Sequence, residues 1–476
     1  MIDRRQFLQA SAGAIALAAS PTSALSVTNG RYQLAAGPAQ ANLMGDTKKS
    51  TDVWAYNRTV PGPVLRGRKG EPVEVTVLNQ LEQPTTIHWH GIRIDNKMDG
   101  VAGLTQEAIP AQGDFTYIFT PPDAGTYWYH PHNRSWEQMA RGLYGVLIVE
   151  GDAMPGMYDR DLIVVADDWR VERSGKFHED SLGNLGDWSH AGRLGNILTL
   201  NGKAYDRLPV ISGERVRLRL VNTANARILR FTVVDHPMWI VALDGQPVPP
   251  FLADEKGVEL APAQRADVIL DINGKPGDEI AIGETSGEER LAAGYLVCAK
   301  DKAALKMRTE KPKPLIKNVV PVPNLEKANS VELVMQGGAM GGMQNAIYKG
   351  VSYDGRTLAI DKRQTWALNG VAGMPDQPLF TAKRGETVKV VLQNQTGWPH
   401  GMHVHGHHFH VLSRSSRASQ SVPLGGEAGA FRDTVLMGPE EKVEIALVAD
   451  NPGKWMLHCH MLEHQASGMK TWFEVT

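Results

Sequence analysis

Four short clusters in this sequence combine residue types that bind metals. They are His88-Trp89-His90, His130-Pro131-His132, His400-Gly401-Met402-His403-Val404-His405 and His458-Cys459-His460, the last followed by His464 and Met469. One His-X-His is a weak signal, because a lone pair of histidines on a strand is more often structural or solvent-facing. Four such clusters are hard to explain without metal. Residues i and i+2 of a β-strand share a face, so each His-X-His directs two imidazoles into one space. Imidazole suits copper, zinc, iron and nickel, so these ligands alone do not choose the metal.

The thiol narrows the choice. The chain has 2 cysteines, Cys298 and Cys459. An exported protein would often pair them, but Cys459 lies between two histidines and is better placed to hold metal. It points to the strand face opposite His458 and His460, where it can join His400, His464 and the thioether of Met469. Two His, one Cys and a weak axial Met form the ligand set of a blue-copper electron-transfer site. One strand would then carry an electron-transfer copper on one face and feed a multi-histidine cluster from the other.

The elements that must position these residues repeat. Gly70-Glu-Pro-Val-Glu-Val-Thr-Val-Leu-Asn79 is echoed by Gly213-Glu-Arg-Val-Arg-Leu-Arg-Leu-Val-Asn222 and by Gly385-Glu-Thr-Val-Lys-Val-Val-Leu-Gln-Asn394. Each copy is a Gly-Glu turn, an alternating strand and a closing Asn, and the alternation predicts one buried face per strand. After Asn79 and Asn394 the chain reaches His88 and His403, whereas at the matching point after Asn222 it reaches Phe231. A second block, Gly125 to His132, matches Gly453 to His460, and the middle copy is read as Arg265-Ala-Asp-Val-Ile-Leu-Asp-Ile272. Short β-branched runs broken by Gly, Pro, Asn and Asp complete an all-β reading with three β-sandwich domains. The expected divisions are 1–25 (signal), 26–155, 156–320 and 321–476, with the middle domain a spacer that holds no copper ligand.

The four motif blocks resemble those of the multicopper oxidases, the family of laccases, ascorbate oxidases and bacterial cuprous oxidases, and with the repeats the similarity spans the mature chain. The resemblance implies cupredoxin-like Greek-key domains and four coppers, with a trinuclear cluster between domains one and three. It assigns the type 1 copper to His400, Cys459, His464 and Met469, and the type 2 copper to His88 and His403. The type 3 pair falls to His90, His130, His132, His405, His458 and His460. The implied reaction takes single electrons from a phenolic or similar small-molecule donor, or from Cu(I), and reduces dioxygen to water. In similar oxidases an acidic residue near the cluster supports proton delivery. Asp99, nine residues after His90, matches that position, although Met98-Asp99-Gly100 is also good turn chemistry. Some relatives carry a further acid directly after the second type 1 histidine; here that residue is Gln465.

Competing readings are a copper-free envelope protein, which would have lost the ligands this chain retains, and a copper nitrite reductase, a smaller chain that assembles its catalytic copper between subunits. The stretch Met335 to Met343 is read as a flexible, thioether-rich segment that could dock Cu(I) or serve as a linker. His407 is expected to be structural; His408 and His410 carry no assigned role.

The net charge of −2 offers no electrostatic case for nucleic acid or an anionic membrane as partner. Arg4-Arg5-Gln-Phe-Leu8 followed by an apolar run to Ala19 resembles a twin-arginine export signal. The run is shorter than the roughly 20 apolar residues that span a bilayer, so the expected location is the periplasm.

Overall fold

The computed structural model describes residues 30–45, 49–287, 290–416 and 428–476. The signal expected at 1–25 lies outside the described residues. Among those described, no helix is long and apolar enough to cross a membrane.

The repeat seen in the sequence is a repeat of strand neighbours. Val73–Asn79 runs parallel to Arg31–Ala41 and antiparallel to Asp114–Phe119. Arg215–Asn222 sits in the same way between Arg160–Trp169 and Arg265–Asp271. Thr387–Asn394 sits between Asn329–Gly337 and Glu441–Val448. A second sheet faces each of these, making three sandwiches with sheets of 4 and 4, 6 and 5, and 6 and 5 strands.

The closing Asn recurs because it turns the chain. Asn79 Oδ1 accepts the Leu81 N–H at 3.0 Å, Asn222 Oδ1 that of Ala224 at 3.0 Å, and Asn394 Oδ1 that of Thr396 at 2.9 Å. Each Nδ2 also donates to carbonyls on two neighbouring loops, such as Trp398 O and Gly438 O for Asn394. An Asx turn of this kind replaces the strand ladder with side-chain hydrogen bonds. It sends the chain towards the strand that carries histidine in the outer copies.

Two expectations need correction. Leu229–Val233, the counterpart of the histidine strands, pairs with Glu279–Glu284. The middle copy of the second block is therefore Glu279–Glu284, and Arg265–Asp271 instead matches Asp114–Phe119 and Glu441–Val448. The error came from the apolar texture of Arg265–Asp271, which either position would show. Nor does alternation leave one wet face on Arg215–Asn222: all of it is buried. Arg217 pairs there with Asp152 and Asp267, and Arg219 reaches Asp161 and, on the first sandwich, Thr126. Buried charges persist only when paired in this way.

Candidate metal centre

The histidine strands are laid side by side by two antiparallel pairs. His88 is opposite His130 across His88–His90 and Gly125–His130. His403 is opposite His458 across His400–Val404 and Gly453–Cys459. His132, His405 and His460 lie just beyond their strand ends. The two sets interleave: the His88 ring stacks on His405 at 3.9 Å and His90 on His403 at 3.7 Å. Eight imidazoles, His88, His90, His130, His132, His403, His405, His458 and His460, are thus buried in one pocket between the first and third sandwiches.

Their hydrogen bonds point outward. His405 Nδ1 donates to the Asp99 carboxylate at 3.0 Å, His458 Nδ1 to Cys459 O at 2.9 Å and His130 Nδ1 to Pro131 O at 3.1 Å. A neutral imidazole has one N–H, so Nε2 of each then carries a lone pair. His405 Nε2 and His458 Nε2 lie 3.0 Å apart, two lone pairs facing one space. His88 Nε2, His90 Nδ1 and His403 Nε2 are buried without a hydrogen-bond partner among the described residues. Converging unpartnered lone pairs are what a cation relieves, so this donor set fits metal. Burial first, and neighbouring imidazoles second, hold His90, His130, His132, His405, His458 and His460 well below the usual histidine range. They are neutral at pH 7, the form that ligates.

Asp99 is only 2% exposed and lies in this pocket. Besides His405, its backbone carbonyl accepts the His88 Nδ1 proton at 2.8 Å. It also caps the short 3-10 turn Asn96–Met98, so one residue closes the turn and turns its carboxylate to His405. Gln465 donates towards His132 Nε2 at 3.3 Å and accepts from Ser135 Oγ at 3.0 Å.

The second site lies on the other face of the strand Gly453–Cys459. Cys459 Sγ is 3.6 Å from His400 Nδ1 and 3.8 Å from His464 Nδ1. Both rings are anchored through Nε2, His400 on Thr396 Oγ1 at 2.8 Å and His464 on His190 O at 2.7 Å. Met469 is buried in the same apolar cluster as Cys459 and receives the Cys459 N–H on its carbonyl at 3.1 Å. Trp366 packs on His464 at 4.3 Å and on His400 at 5.1 Å. Burial pushes the Cys459 thiol up to about 12, so without metal it is protonated. A metal that displaces the proton makes the thiolate.

Sequence reasoning missed several partners. Asp433 accepts the His90 Nε2 proton at 3.2 Å and, on its carbonyl, the His403 Nδ1 proton at 2.9 Å. Burial alone would raise its carboxyl, but the Arg265 guanidinium, with His90 and His403, outweighs burial and holds it well below the usual range. Arg265 and His190 belong to the middle sandwich, which is therefore more than a spacer. Nothing in the local spacing of these residues flags them. The His407 ring lies against Trp455 and Phe473. His408 contacts Gln246, and His410 lies on Phe431.

Known proteins are similar to this chain in sequence and fold. Multicopper oxidase family models match residues 39–154, 160–282 and 352–476. The chain is 32% identical to multicopper oxidase MmcO of Mycobacterium tuberculosis, over 95% of this chain and 88% of that one. It is 30% identical to Laccase-2 of Fomitopsis schrenkii, over 88% and 85%. A crystal structure of a multi-copper oxidase from Pseudomonas thermotolerans matches with a TM-score of 0.79 and 30% identity, covering 94% of this chain and 99% of that one. Likeness of this extent, joined to a thiol site backing onto a histidine pocket, makes the chain a member of the multicopper oxidase family, a copper-dependent oxidoreductase that uses dioxygen.

Proposed function

We propose that the protein oxidises phenolic or similar organic donors one electron at a time and reduces dioxygen to water. His400, Cys459, His464 and Met469 would hold a type 1 copper. His88 and His403 would hold a type 2 copper, and His90, His130, His132, His405, His458 and His460 a type 3 pair. Four coppers supply four one-electron centres, matching the four electrons that dioxygen needs. The observation that carries the reading is adjacency: Cys459 Sγ faces His400 and His464, while His458, one residue away, faces His405. With copper bound, the Cys459 side chain, the single peptide link to His458 and the His458 side chain would join the two sites. Asp99, bonded to His405 and His88, is the residue that would hold and release protons there. Domain limits of 26–155, 156–320 and 321–476, and a periplasmic location, belong to the same proposal.

A second reading, oxidation of Cu(I) in copper tolerance, is favoured by one feature. A cleft of about 260 Å³ is lined by Met343 together with Ser189, Gly337 and Thr365. Ser189 adjoins His190, whose carbonyl anchors His464. Met340, in the same loop, is 88% exposed. Soft thioethers favour Cu(I).

Oxygen uptake by the copper-loaded protein, measured side by side with a phenol and with Cu(I), tests both. Faster uptake with the phenol is expected. Uptake with Cu(I) alone would transfer the assignment to the second reading, and none with either would overturn the oxidase proposal.

A further inference from the structure

We infer that the middle sandwich, which gives no histidine to the pocket, completes it through Arg265, a positioning residue that sets which nitrogen His90 turns inward. The inference rests on the proposed trinuclear site.

Arg265 is fully buried where the three sandwiches meet. Its Nη1 and Nη2 grip the two carboxylate oxygens of Asp433 at 2.9 and 2.7 Å. Nε donates to Thr126 O at 3.2 Å, on the strand that carries His130, and Nη1 also donates to Ala263 O at 3.2 Å. The guanidinium thus bonds to the first, second and third sandwiches together. Behind it Asp244 accepts the Arg265 N–H at 3.0 Å and pairs with Arg432 at 2.7 Å.

The orientation of Asp433 follows from that grip. With both oxygens engaged by the planar fork, the carboxylate cannot rotate, and Oδ1 stays 3.2 Å from His90 Nε2. The His90 proton is therefore kept on Nε2, and Nδ1 is the nitrogen left without a partner inside the pocket. Carboxylates that hold the second nitrogen of a ligand histidine fix its tautomer and ring orientation. Gly91 records the closeness of the arrangement. It follows His90 directly, has φ of 85°, and a Cβ there would collide with both Arg265 Nη2 and Asp433 Oδ2.

A lysine cannot reproduce the fork, because its ammonium is a single point charge on a flexible stem. A methionine fills similar space but leaves Asp433 and Asp244 with less positive charge between them.

The test compares wild-type protein with Arg265→Lys, Arg265→Met and Arg215→Met, all copper-loaded. Arg215 is a buried arginine of the same sheet that grips Asp271 at 2.7 and 2.8 Å, so its loss controls for removing a buried ion pair. Copper per chain, the visible thiolate band, the near-ultraviolet absorption of the type 3 pair, KM and kcat are read together. Arg265→Met should keep the thiolate band while losing the type 3 absorption and falling below four coppers, with kcat reduced about 10- to 100-fold at little changed KM. Arg265→Lys should show the same loss in smaller degree, and it decides the matter if Arg265→Met does not fold. Arg215→Met should lower the melting temperature and leave copper content unchanged. A wild type with four coppers beside Arg265 variants of unaltered copper content, type 3 absorption and kcat overturns the inference alone. A wild type that takes up one copper or none overturns the proposed function as well.

Discussion

Met402 and Cys459 are register partners on adjacent antiparallel strands, and the next pair along is His403 with His458. Because successive residues face opposite sides of a sheet, the first pair lies with the thiol site and the second with the histidine pocket. The two sites are separated by one residue of backbone and by the thickness of one sheet.

Cys459→Ser removes the soft thiolate with little change of volume. The variant should lose its visible thiolate band and turnover with every donor. His458 and His460 lie on the opposite face, so a type 2 copper signal should persist in electron paramagnetic resonance. Near-normal oxidation of any donor would show that electrons do not pass through Cys459. Loss of all copper would show the two faces to be structurally coupled.

Asp99→Asn keeps the size of the side chain and removes the proton-holding group beside His405. Turnover should fall about 100-fold or more, the range over which positioned acids and bases contribute. Reduction of the thiolate copper by donor without oxygen should be unaffected. Stopped-flow bleaching beside steady-state oxygen uptake separates the two, and equal loss in both would make Asp99 a purely structural residue.

The methionine segment divides into two parts. Met335 lies fully buried in the strand Asn329–Gly337, packed in the apolar core and closed to an ion arriving from solvent, contrary to its expected place in a flexible segment. Met343 lines the cleft, and Met340, in the same loop, is exposed. Met340→Leu with Met343→Leu should slow Cu(I) oxidation and leave phenol oxidation nearly unchanged. Met335→Leu should cost less than about 1.5 kcal/mol of stability, as volume-conserving core exchanges do. Equal effects of the loop pair on both donors would support a linker.

Acid should destabilise the copper-free protein. Burial pushes His408 and His464 down to about 4. In the unfolded chain they would titrate near the ordinary value of about 6.5. Between these values the unfolded state binds more protons, so stability is lost as pH falls from about 6.5 towards 4. The melting temperature should drop across that window, and His408→Gln should make the drop shallower. A melting temperature that is flat between pH 7 and 4 would contradict this.

Export is tested at Arg4 and Arg5. Changing both to Lys should leave the protein in the cytoplasm on cell fractionation. Normal periplasmic accumulation would favour an ordinary secretory signal.

Most of the proposed ligand set could be read from the sequence because it obeys local rules. Strand alternation dictates that His-X-His shares a face and that Cys459 opposes its neighbours, and the Asn that closes each repeat dictates where the next strand starts. Asp99 was singled out by the family resemblance, which implies an acid nine residues after His90, and not by any local rule. The partners that orient these ligands follow no such rule. Arg265 and Asp433 are 168 residues apart, and His90 and Asp433 are 343 apart. An ion pair leaves no periodic trace, since its two members need only arrive at the same place. The counterpart strand in the middle sandwich was misassigned for a related reason: apolar alternation says that a strand is buried, not which neighbours it has. Only the packing of three sandwiches decided that a middle domain without ligand histidines would reach both sites, through His190 to His464 and through Arg265 to Asp433.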